Sequence, residues 1–106
     1  MPADPRAEYD AIGAELTATS PTVAGAMFGM PILKQGGKAF AGFYKGAMVF
    51  KLGAPQHGEA LALPGAHLFD PGMGRPMKEW VVVPAEQAAR WADLARAAQG
   101  YVTGKR

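Results

Sequence analysis

The stretch GAMFGMPILKQGGKAFAGFYKGAMVFKLG, Gly25 to Gly53, decides the fold. Gly36-Gly37 and Lys45-Gly46 divide it into three short apolar runs. Glycine adopts the positive φ that two-residue hairpin loops require, so the stretch predicts a three-stranded antiparallel meander. With two residues in each loop, the register follows by counting. Lys45-Gly46 sets Phe43 opposite Met48 and Ala41 opposite Phe50, and Gly36-Gly37 sets Ile32 opposite Ala41 and Met30 opposite Phe43. Side chains alternate between faces along a strand. One face is therefore expected to carry Phe28, Met30, Ile32, Ala41, Phe43, Met48, Phe50 and Leu52, and to form the core. The other carries Gly29, Pro31, Leu33, Phe40, Gly42, Tyr44, Val49 and Lys51. Pro31 lacks an N–H, which marks the first of these strands as an edge or a bulge.

Upstream, Asp4-Pro5 reads as an N-cap followed by proline in the first turn of a helix. Pro5, Tyr9, Ile12 and Leu16 fall on one face of it, and TSPT, Thr19 to Thr22, ends it. Downstream, Pro55 to Leu63 predicts a short helix, His67 to Asp70 a brief strand and Pro71 to Pro76 a loop. MKEWVVV, Met77 to Val83, has the β-branched and aromatic content of a strand, with Trp80 expected to be buried. Pro84 opens a last helix with the stripe Pro84, Ala88, Trp91, Ala95 and Ala98, and Gly100 is its expected stop.

The expectation is one α+β domain over residues 1–106. It has two layers, with an antiparallel sheet of about five strands and helices on one face, in the order α-β-β-β-α-β-β-α. The 106 residues suffice for one modest core. The net charge of +2 is far from that of a basic nucleic-acid tail. With no cysteine, disulfides, thiolate metal sites and cysteine nucleophiles are excluded. The charged N-terminus is unlike a signal peptide, and no apolar run reaches the roughly 20 residues that span a bilayer. A soluble, cytoplasmic protein is expected.

Two motifs carry a resemblance: AMFGMPILKQGGKAFAGFYKGAMVFKL after a first helix, and FDPGMGRPMKEWVVVP leading into a last one. Over residues 5–100 the chain resembles the N-terminal domain of the TfoX/Sxy family. The resemblance implies a two-layer fold similar to secretion chaperones. It also implies a link to transcription regulation and natural competence, in which TfoX/Sxy acts with a cyclic-AMP receptor-type activator.

Little chemistry competes with that reading. A zinc site needs three or four ligands, and His57, His67, Glu59 and Asp70 have no recognised spacing. Ser20, the one serine, lies in a helix-ending segment without a nucleophile elbow. Gly36-Gly37 and Gly72-Met73-Gly74 lack the remaining residues of a phosphate loop. No catalytic residue, cofactor or metal is expected, and the chain reads as a non-enzymatic protein-interaction module with a regulatory role. Its candidate contacts are an apolar patch of Leu33, Phe40, Tyr44 and Val49 with Lys51 beside it, and a basic loop holding Arg75 and Lys78. The partner is expected to be another protein, with a homodimer as one form. The alternative is a nucleic-acid-binding domain that stacks bases on Phe40 and Tyr44 among lysines.

Overall fold

A computed structural model describes residues 4–27, 29–70 and 77–103. Helix α1 (Pro5–Thr19) is followed by strands β1 (Thr22–Met27), β2 (Met30–Gln35), β3 (Lys38–Tyr44) and β4 (Ala47–Lys51). Then come α2 (Gln56–Leu61), β5 (His67–Phe69), β6 (Met77–Val83), a 3-10 segment (Ala85–Arg90) and α3 (Trp91–Val102). The strands form one antiparallel sheet in the order β1-β2-β3-β4-β6-β5. The α+β class, the antiparallel sheet and the order of elements are as the sequence implies, but there are six strands instead of about five. The addition is β1, from a segment read as the end of the first helix and the approach to the meander. The expected Phe28 position and the Pro71–Pro76 loop lie outside the described residues.

α1 starts where its cap residue dictates. The Asp4 carboxylate accepts a hydrogen bond from the Arg6 backbone N–H, with proline in the first turn. Tyr9, Ile12, Gly13 and Leu16 are its buried face. The side chains of Tyr9, Ile12 and Leu16 join Ala60 of α2 and Trp91, Ala95, Ala98 and Val102 of α3 over one side of the sheet. The sheet contributes Leu33, Phe40, Ala41, Met48, Phe50, Val81 and Val83 to that core, and Leu52, just after β4, adds to it. All the helices that contribute to it therefore lie on one face, as expected for two layers.

The two hairpins of the meander differ from each other. Lys45 and Gly46, both with positive φ (50° and 82°), set Phe43 opposite Met48 and Ala41 opposite Phe50, the expected register. Gly36 and Gly37 (61° and 79°) also close a two-residue turn, with Gln35 opposite Lys38 and Lys34 opposite Ala39. The register then breaks. Leu33 faces Ala41 and Ile32 faces Gly42, leaving Phe40 as the extra residue of a β-bulge. Residues three apart cannot share a face of a regular strand, and the bulge lets Phe40 and Phe43 both meet the helices. It corrects the expected faces. Leu33 and Phe40 move to the helix-covered side, and Met30 and Ile32 move off it.

The opposite face has a second buried cluster drawn from strands: Met30, Ile32, Ala47, Val49, Phe69, Trp80 and Val82. Trp80 is 6% exposed, in keeping with its expected burial. Gly42 makes room for this cluster, because a Cβ there would lie 2.8 Å from Met30 Cε and 3.1 Å from Ile32 Cγ2.

The last helix is not continuous from Pro84. Gln87 (φ −106°, ψ 23°) is non-helical, and the regular helix begins at Trp91. Pro84 and Ala88 are consequently not in its buried stripe, which runs Trp91, Ala95, Ala98, Val102. Gly100 lies inside α3 and does not end it. Among the described residues no helix is long and apolar enough to cross a membrane.

Candidate interaction edge

The sheet ends in two unlike edges. β5 is three residues long, and its pairing with β6 shifts between Leu68 and Phe69. Short, irregular edges resist further pairing. β1 is twice as long and pairs with β2 along its whole length without a shift, from Thr22 opposite Gln35 to Met27 opposite Met30. Its sequence, TVAGAM, contains no charge and no proline, the two side-chain devices that most often blunt an edge.

The backbone of β1 can be oriented by counting. Two residues separate Met27 from Met30, so these close the hairpin as a hydrogen-bonded pair, and alternation makes Gly25 and Val23 the next bonded residues. The N–H and C=O groups of Ala24 and Ala26 therefore point away from β2, along the open edge. Val23, Ala24 and Ala26 are exposed, and Val23, at 56%, is one of two exposed large hydrophobic residues among those described.

Above this edge runs a groove of about 260 Å³ between α1 and the first two strands. Gly13, Ala14 and Thr17 line it from the helix, and Ala24 and Leu33 from the sheet. Small side chains leave it open, and Gly13 is close enough to the sheet that a Cβ would touch Leu33 at 3.4 Å. Arg6 and Asp10 sit at its far end, joined by a 3.0 Å ion pair. Tyr9 also borders the groove, and burial pushes its phenol up to about 12, so the ring stays neutral. The other end of β1 is pinned by polar contacts. The Gln99 side-chain amide lies 2.8 Å from Ser20 Oγ, 3.1 Å from Thr22 Oγ1 and 2.8 Å from Gln35 Oε1, tying α3 to the start of the strand.

The residues singled out by sequence do not converge. Leu33 and Phe40, 2% and 0% exposed, are core beneath the helices. Val49 is fully buried on the opposite face, so the expected apolar patch is divided between two cores. Tyr44 is half-buried with its ring edge-on to Phe69, centroids 5.0 Å apart, and Lys45 Nζ lies 5.3 Å from that ring. Lys51 pairs with Glu79 at 3.7 Å, and Glu79 also accepts a hydrogen bond from the Tyr101 hydroxyl. Lys78 is exposed, and its carbonyl lies 2.6 Å from His57 Nε2. Arg75 lies outside the described residues, so the Arg75–Lys78 convergence is not part of the described geometry.

Among the described residues no group of three or more His, Asp or Glu is placed to hold a metal. Ser20 donates to the Leu16 carbonyl at 2.6 Å, which is helix-end chemistry. The β1 edge has a weak sequence signature, because the alanines and glycine of TVAGA have low strand preference. Its signal was the β-branched pair Thr22-Val23 between Pro21 and Gly29. No family model, no curated protein and no solved structure matches the chain.

Proposed function

We propose that this chain is a non-enzymatic protein-interaction module that binds by accepting an extended polypeptide strand at β1. A regulatory role in the cytoplasm, of the kind the TfoX/Sxy-like motifs imply, is the proposed setting. The supporting observation is the β1 edge itself: six residues, uncharged, regularly paired on one side and, among the described residues, open on the other. An unpaired row of backbone donors and acceptors recognises another strand through main-chain hydrogen bonds, and neighbouring grooves supply side-chain selectivity. The groove under α1 lies where such side chains would enter.

The nucleic-acid alternative has less support. Its stacking surface required Phe40 beside Tyr44, and Phe40 is sealed under the helices. Affinity capture from native cells with and without nuclease, using wild type and Ala24→Pro as baits, separates the two. Partners that survive nuclease and are lost with Ala24→Pro support strand capture. Partners lost to nuclease and indifferent to Ala24→Pro support nucleic-acid binding.

A further inference from the structure

We infer that the strand received at β1 is β1 of a second copy of this chain, laid antiparallel across a two-fold axis at Ala24. The inference rests on the reading of β1 as an interaction edge and names its occupant. Three observations favour self-pairing.

First, the edge is compatible with itself in charge. Antiparallel self-pairing sets each strand against its own sequence, and a charged residue near the axis would meet its like. β1 has no charged residue from Thr22 to Met27. Second, the ladder is compatible with itself in direction. Outward-pointing residues must bond outward-pointing residues, and an axis at Ala24 allows the two Ala24 backbones to exchange both hydrogen bonds. Third, the side chains fit. That axis sets Val23 of each copy opposite Gly25 of the other, on the face away from the helices. Val23 is the most exposed large apolar side chain of the described chain, and Gly25 offers it a position with no side chain of its own. The apolar stem of Lys34 already borders that position, since a Cβ on Gly25 would come within 3.3 Å of Lys34 Cε. On the helix face the paired strands meet at the Ala24 methyls, under grooves lined by Gly13 and Ala14. Isologous pairing of this kind is the commonest symmetry of soluble oligomers.

The test is sedimentation velocity over a concentration series on wild type, Ala24→Pro and Val23→Asp. Proline at 24 removes an N–H directed away from β2, so the internal ladder is retained. Aspartate at 23 alters an exposed side chain and sets carboxylates near the axis. Wild type is expected to show a concentration-dependent dimer, and each variant to weaken it by roughly 10- to 100-fold with the far-ultraviolet circular dichroism unchanged. Should Ala24→Pro fail to fold, Val23→Asp carries the comparison. A wild type that stays monomeric at several hundred micromolar overturns the inference, as does a dimer that neither substitution weakens. Monomeric wild type whose capture of another protein still depends on Ala24 overturns the self-pairing alone and leaves the interaction reading standing.

Discussion

The indole Nε1–H of Trp91 donates a 3.1 Å hydrogen bond to the carbonyl of Val83, joining the first residue of α3 to the last residue of β6. Trp91 is fully buried, so the bond closes the 3-10 segment between them without solvent. Trp91→Phe keeps an aromatic ring but leaves the carbonyl unpaired beside a small cavity. A loss of about 2–4 kcal/mol is expected in urea unfolding. An unchanged midpoint would place the anchoring of α3 elsewhere.

Gly42 is required for space. Its φ is not in the left-handed region, and the obstacle to a side chain is Met30 at 2.8 Å together with the Pro31 carbonyl at 3.0 Å. Gly42→Ala is expected to destabilise by about 1–3 kcal/mol through overpacking. Combining it with Met30→Ala should cost less than the sum of the two, because the added methyl occupies part of the emptied volume. Strict additivity in thermal melts would count against this packing.

Trp80 belongs to the strand-only cluster and pairs in register with Lys51. Truncation to alanine should remove about 3–5 kcal/mol. That is a large share of a small domain's stability, and the variant should melt many degrees lower or be unfolded at room temperature. A melting temperature equal to wild type would mean the second cluster contributes nothing.

Tyr9 gives the fold an alkaline limit. Its phenol is held neutral up to about pH 12, chiefly by burial, against the ordinary value of 10.0. The folded state therefore binds more protons than the unfolded chain between those values. The stabilisation is complete below pH 10 and declines as pH rises toward 12. Tyr9→Phe removes this group, so its unfolding free energy should fall less steeply than that of wild type across the same window. Identical slopes would assign alkaline sensitivity to other residues, of which Tyr101, raised by its hydrogen bond to Glu79, is one.

How far the sequence discloses this molecule depends on which interactions decide each element. α1 is legible because its cap, its proline and its stripe of Tyr9, Ile12 and Leu16 are all local signals. The Lys45-Gly46 hairpin is legible because turn chemistry sets the register of its neighbours. The Phe40 bulge is not, since it is resolved by competition among distant surfaces: α1 and α3 on one side, Met30 and Ile32 on the other. One displaced residue exchanged the faces of Leu33 and Met30, and Val49 is buried on the face it was expected on, so the expected patch of Leu33, Phe40, Tyr44 and Val49 does not exist as a surface. The break before Trp91 escaped for a similar reason, because the 3-10 turn satisfies an indole-to-strand bond that helical periodicity does not encode. β1 escaped because small residues have weak strand preference and are held by the β2 ladder and by Gln99.

The inequality of the sheet's two ends limits how far association can grow. Head-to-tail stacking of sheets into a filament needs two receptive ends on every molecule, and here the β5 end is three residues long with a broken register. With β1 as the pairing edge, as proposed, each chain would have a single valence. Addition at β1 would consume it, and both outer boundaries of the proposed pair would be β5 ends. An exposed, uncharged strand that would be an aggregation hazard in a sheet with two such ends would, on that proposal, be confined to a stoichiometry that terminates itself.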